Sequence, residues 1–204
     1  MMRKLASAIS LVLVCALLAE CAPQDSLFPL FSNTDNAFEC QLLGKWTVQG
    51  GTEQTKPGEK SGIALFEKSR DGISYILTIP YFDEDAHGQK LISAARLIRF
   101  GTFLFIDLGS PDLDNIHNAT VPYPTIAEHV FGRVYLEKDT MRFGFLSDKW
   151  VADQAEAGKL SLAYITIGNR KVLSATTEEL RKFALQHAED KEACSETFAF
   201  RRKK

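Results

Sequence analysis

Between Ile73 and Tyr81 every second residue is large and apolar. Ile73, Tyr75, Leu77, Ile79 and Tyr81 fall on one face, and Ser74, Ile76, Thr78 and Pro80 on the other. A period of two marks a strand with one buried face; a helix repeats its apolar positions every three to four residues. The same alternation returns along most of the chain, and each run ends in residues that turn a backbone.

Before this strand, Gln41–Gln49 carries Leu43, Trp46 and Val48, and Ile63–Lys68 follows a polar Gly/Pro-containing loop over 50–62. Arg70-Asp71-Gly72 predicts a tight hairpin turn. Beyond an acidic loop over 82–89, Leu91–Phe100 and Thr102–Leu108 form the next pair, with Gly101 between them. Phe103, Phe105 and Asp107 oppose Leu104, Ile106 and Leu108, so both faces are apolar and that strand is expected to be covered. A Pro/Asn/Asp-rich loop over 109–124 leads to Thr125–Leu136, and Lys138-Asp139 turns into Met141–Leu146. Leu160–Ile167, Lys171–Ser174 and a short final run, Glu196–Arg201, complete the strands.

Two segments break the period. Asp148–Ala157 predicts one or two helical turns around Trp150 and Val151. Thr176 with Glu179 three residues on is a capping box. Leu180, Phe183, Ala184 and His187 then recur at helical spacing, which predicts a helix over about 177–192. The expected fold is mainly β, an antiparallel meander closing into a small barrel or a strongly curved sheet, with one C-terminal helix. Residues 38–200 make a single domain, and 201–204 a basic tail.

The chain begins differently. Met1-Met2-Arg3-Lys4 is basic, Leu5–Ala19 is apolar apart from Ser7 and Ser10, and Leu17-Leu18-Ala19-Glu20-Cys21 follows. This layout is a secretory signal, short for a membrane span. Its end resembles the bacterial lipobox, in which a leucine and two small residues precede the cysteine that receives lipid; Glu20 departs from that pattern. The expectation is a signal peptide over 1–20, lipidation at Cys21 and an N-terminal tether over 21–37. A cut near Ala19 or Cys21 without lipid, and an uncleaved anchor, are the alternatives. The expected location is the bacterial cell envelope, facing the periplasm from the outer membrane, or else secretion.

Of four cysteines, Cys15 is lost with the signal and Cys21 carries lipid. In an oxidising compartment the remaining Cys40 and Cys194 either form a disulfide, worth roughly 2–4 kcal/mol, or stay as thiols. Formal net charge is −2. With Arg3, Lys4 and Glu20 removed and the four positive charges of Arg201–Lys204 set aside, the body stands at about −7, which excludes a nucleic-acid partner. The tail reads as a solvated terminus or as a contact with an anionic membrane.

Leu43-Gly44-Lys45-Trp46 resembles the Gly-X-Trp at the first strand of lipocalins, where the tryptophan closes the barrel floor. The late helix beside a barrel, with a cysteine after it, is also lipocalin-like. The resemblance implies a barrel that binds a small apolar ligand, and some bacterial members are outer-membrane lipoproteins. The chain is similar as well to small bacterial lipoproteins that combine this start with a Phe-Leu-Phe-Ile-Asp-Leu-like strand and a Thr-X-X-Glu-Leu helix.

No catalytic motif, phosphate-cradling loop or metal-ligand spacing is present, so neither cofactor nor metal is expected. Asp83-Glu84-Asp85 with His87 and the pair Asp112 and Asp114 read as solvated acidic loops. His117 lies in a loop and His187 on the helix stripe. Asn118-Ala119-Thr120 matters only in a glycosylating host. Asp107, an acid on an apolar strand face, needs a partner; Arg96 and Arg99 are the candidates from the preceding strand, and His129 and Arg133 share a face of the next. The expected function is a non-enzymatic envelope lipoprotein whose barrel binds a small apolar ligand. The alternatives are a structural or protein-interaction lipoprotein with a filled core, and a hydrolase in which a histidine and an acid converge in a pocket.

Overall fold

The computed structural model describes residues 23–32, 36–49, 62–80, 90–110 and 129–203. In chain order the strands are β1 (Asp25–Ser26), β2 (Asn36–Ala37), β3 (Gly44–Gln49), β4 (Ile63–Lys68), β5 (Tyr75–Pro80), β6 (Lys90–Phe100), β7 (Phe103–Gly109), β8 (His129–Leu136), β9 (Thr140–Leu146), β10 (Tyr164–Ile167), β11 (Arg170–Leu173) and β12 (Cys194–Arg202). The helices are α1 (Asp148–Glu156) and α2 (Thr177–Gln186), and a single 3₁₀ turn, Cys40–Leu42, precedes β3.

β3 to β9 form an antiparallel meander in sequence order. Seven such strands leave the first and last running the same way, so they cannot pair with each other antiparallel. β12 fills the gap. It pairs antiparallel with β3 on one side and β9 on the other, and β8–β9 pairing completes a closed barrel of eight strands. Closure removes the free edges that an open meander would expose. A bulge between Glu196 and Phe198 shifts the register of β12 against β9.

The final strand is therefore longer than the sequence pattern predicts, starting at Cys194 rather than Glu196, and the helix before it is shorter. α2 stops at Gln186 with His187 as its cap, and residues 187–193 turn back toward the barrel. Two α-helices are present among the described residues, and both stand outside the barrel wall between β9 and β12. β10 and β11, which read as further meander strands, form a hairpin outside the barrel.

Alternation fills the lumen. Trp46 and Val48 of β3, Ala64 and Phe66 of β4, Tyr75, Leu77 and Ile79 of β5, Phe143 and Phe145 of β9 and Phe200 of β12 belong to one buried cluster. A second cluster covers the outer face of β6–β8, where Ile98, Phe105 and Phe131 meet Leu30, Val151, Leu173, Leu180 and Phe183. This second layer explains why both faces of β7 are apolar.

Residues 23–32, expected as part of a tether, lie along the barrel from Pro23 onward. β1 pairs antiparallel with β8 and parallel with β11, and Leu30 is buried.

The expected disulfide is absent: Cys40 and Cys194 are both free thiols. The barrel register gives the reason. Cys40 lies just before β3, whose Trp46 is opposite Arg202 of β12. Cys194 is at the other end of β12, eight residues from Arg202, roughly 25 Å along an extended strand. A disulfide requires Cα atoms within about 7 Å.

Candidate functional site

Asp107 is the one acidic side chain among the described residues that is fully buried, at 1% exposure. Its strand neighbours Leu104, Ile106 and Leu108 face the barrel cluster, and Asp107 shares the outer face with Phe103 and Phe105. The partner is His129, not Arg96 or Arg99. Oδ1 lies 2.7 Å from His129 Nδ1, and Oδ2 accepts the Leu30 backbone N–H at 2.6 Å. Thus both carboxylate oxygens are satisfied, one by the wall of the barrel and one by the N-terminal segment strapped across it.

The surroundings fix the imidazole. A Cβ at residue 109 would lie 3.0 Å from His129 Nδ1 and Cε1, so Gly109 leaves the space that the ring occupies. Phe31 meets the ring edge-on at 6.1 Å between centroids. Arg96 lies over Phe31 at 4.4 Å and reaches Asp71 at 3.5 Å. Burial works against the Asp71 charge, but the Ser74 hydroxyl, the Ile73 and Ser74 amides and Arg96 together hold its pKa below the usual carboxylate value.

A buried carboxylate on Nδ1 of a half-buried imidazole is two-thirds of a nucleophile-activating arrangement. What the geometry does is join the strap to β7 and β8.

The other candidates separate. Arg99 pairs with Glu39. Arg133 donates to the Ala188 carbonyl at 2.7 Å and stacks between Phe103 and Tyr135, each 4.6 Å away. Arg99, Arg133, Glu39, Gln41 and Thr102 line an open polar groove of about 250 Å³, below the roughly 300–1,000 Å³ usual for small-molecule sites. His187 packs against Trp150 and Phe183 and reaches Asp190 at 3.3 Å. Cys194, beside a void of only about 10 Å³, has its pKa pushed up to about 11 by burial and by the Asp190 charge, partly offset by Arg133. No group of three metal-ligating side chains occurs among the described residues. Cys21, Asp83 to His87, Asp112, Asp114, His117 and Asn118 to Thr120 lie outside the described residues.

Arg202 was hidden in the basic tail. It lies over Trp46 and donates to the Leu43 carbonyl at 3.1 Å and to the Gln41 carbonyl. Trp46 in turn donates Nε1–H to the Leu42 carbonyl at 2.8 Å. Arg202 and Trp46 thereby clamp the 3₁₀ turn as the floor of the barrel. The only available signal was its place in the alternation with Phe198 and Phe200.

The architecture is a closed, lipocalin-like barrel. Comparison of the chain with protein-family models, with curated proteins and with solved structures finds no match.

Proposed function

We propose that the chain is a lipid-anchored protein of the bacterial cell envelope whose barrel is a rigid, filled platform. It offers its outer surface to macromolecular partners and performs no chemistry of its own. Cys21 carries the anchor in this reading, on the strength of the basic, apolar and Leu-Ala-Glu-Cys sequence that leads to it.

One observation carries the choice of a platform over a ligand carrier. Phe66 on β4 and Phe143 on β9 meet edge to face, with centroids 6.3 Å apart, although β3 and β12 stand between their strands in the wall. Two rings that meet across the lumen occupy the space an apolar ligand would need. Phe143 also contacts Phe145 and Phe200, and Phe66 contacts Tyr75. Such a core behaves as a packed interior and resists change in volume.

The test is binding of an apolar fluorescent dye, anilinonaphthalene sulfonate, by wild type and by the Phe66→Ala/Phe143→Ala double variant. The wild type is expected to show no saturable uptake, and the opened variant a stoichiometric one. Saturable stoichiometric binding by the wild type, or an apolar molecule co-purifying with it in native mass spectrometry, would replace the platform with a carrier.

A further inference from the structure

Within the β10–β11 hairpin, β10 is exposed along its whole length, whereas β11 buries Val172 and Leu173. β11 pairs with β1 on one side and β10 on the other, and the outer edge of β10 has no strand partner among the described residues. Tyr164, Ile165 and Ile167 are 39%, 40% and 42% exposed. Successive strand residues face opposite ways, so Tyr164 lies on one face and Ile165 and Ile167 on the other, and both faces are open. Natural edge strands usually carry charge, proline or a covering element. This one carries three large apolar side chains.

The register of β1 says where the hairpin stands relative to the start of the chain. β1 runs parallel to β11 with Ser26 opposite Leu173. Gln24 Nε2 donates to the Lys171 carbonyl at 2.6 Å, and Asp25 forms an ion pair with Arg170. Lys171 and Arg170, which Gln24 and Asp25 hold, directly follow the Gly168-Asn169 turn and Ile167, while Pro23 itself bridges Ser147 beyond the end of β9. Cys21 is two residues upstream of Pro23, a reach of at most roughly 7 Å.

We infer that the β10–β11 hairpin is a lipid-contact element, with Tyr164, Ile165 and Ile167 set into the interfacial layer of the membrane beside the anchor. This rests on the reading of Cys21 as the anchored residue. Acyl chains on Cys21 bring the bilayer surface to the hairpin, because only Ala22 separates Pro23 from that cysteine. The depth is interfacial. An open strand edge has unpaired amides and carbonyls, which water satisfies among the headgroups but nothing satisfies in the hydrocarbon. Tyrosine favours the same layer, with its ring in the apolar part and its hydroxyl in the wet part. The anchor supplies attachment, and the hairpin supplies a second point that fixes how the barrel is oriented on the membrane.

The experiment uses the full chain purified from membranes and reconstituted into phosphatidylethanolamine/phosphatidylglycerol vesicles containing dibrominated acyl chains. Ile167→Trp is compared with Glu67→Trp; Glu67 lies on β4, four strands from β8 in either direction around the barrel. The native Trp46 is fully buried and Trp150 half-buried, which leaves a low background. The I167W chain is expected to be quenched several-fold more than the E67W chain, with blue-shifted emission. Equal quenching overturns the inference. So does a blue shift of I167W that depends on protein concentration and not on brominated lipid, which assigns the edge to another strand, from a second copy or a protein partner. The N-terminal mass of the same sample separates the two claims. Acylated Cys21 with unquenched I167W removes the hairpin contact and keeps the anchor. Unmodified Cys21 with quenched I167W removes the anchor and supports the contact.

Discussion

The guanidinium of Arg202 lies 4.3 Å from the centre of the Trp46 ring, and its N–H groups reach the carbonyls of Leu43 and Gln41. The last strand of the barrel is thus fastened to the turn that precedes the first. Arg202→Ala should destabilise the domain by about 1–3 kcal/mol, through loss of the stacked cation and of two carbonyl partners. Arg202→Lys should recover little of this, because an ammonium cannot stack flat and fork to two acceptors at once. Urea unfolding of the three proteins checks the order; a lysine variant equal to wild type would contradict it.

Asp107 couples the strap to the barrel through two charge-assisted hydrogen bonds in a buried setting. Asp107→Ala leaves the Leu30 amide and the His129 ring without their acceptor, at a cost of about 3 kcal/mol. Asp107→Asn keeps one acceptor for Leu30 and should cost less. Limited proteolysis reads the strap directly: cleavage within 23–32 should rise well before the barrel unfolds. A strap that remains protected in the alanine variant would show that Leu30 burial alone holds it.

Strand identity was legible because alternation is local: Tyr75, Leu77 and Ile79 are buried on one face, as their spacing requires. The capping box was equally legible, since Thr176 and Glu179 need only each other. Closure by β12 was not, because it depends on parity of the whole meander and not on any window of sequence. Asp107 could be flagged as an acid in need of a partner. Its choice of His129 over Arg96 depends on a diagonal across β7–β8 and on room left by Gly109. Arg202 looked like tail because its role comes from a stacked ring 156 residues earlier.

The thiols should differ in reactivity. Cys40 is exposed, whereas the pKa of Cys194 is pushed up to about 11 by burial and by Asp190. At pH 8 Cys194 stays protonated and inert, since the thiolate is the reactive form. A native chain carrying Cys21→Ser and Cys15→Ser should therefore titrate one fast thiol, and a second only in denaturant. Reducing agent should leave the melting temperature unchanged. Two fast thiols would place Cys194 at the surface.

Acid should weaken the fold through particular carboxylates. Asp190 works against burial, but the Ala193 and Glu192 amides and His187 hold its pKa low; the Thr176 amide and hydroxyl do the same for Glu179, and Ser74 and its neighbours for Asp71. A lowered folded-state pKa contributes stability above the unfolded value, near 4, and loses it as pH falls through the folded value. The melting temperature should therefore be level above about pH 5 and decline below about 4. Asp190→Asn keeps an acceptor for the two amides and removes the titration, so its decline should be shallower. An unchanged slope would assign the acid sensitivity elsewhere.

Gly132 of β8 pairs with Phe145 and Gly144 of β9 with Arg133, one step apart in the same ladder, but the two glycines should respond differently to a methyl group. A Cβ at 132 would lie 2.7 Å from the Gly144 carbonyl oxygen and 2.9 Å from Phe145 Cα, both backbone atoms that cannot swing aside. At 144 the nearest atom, the Cys194 carbonyl oxygen, is 3.5 Å away, an ordinary contact. Gly132→Ala should thus cost about 1–3 kcal/mol by forcing the two strands apart, and Gly144→Ala should be near neutral. The strands pair where the wall also bears Arg133 and Phe131, so the cost at 132 should extend to α2. Hydrogen exchange of the α2 amides in Gly132→Ala should quicken along with those of β8. Equal stability of the two alanine variants would mean that the close approach of β8 to β9 is not required for closure.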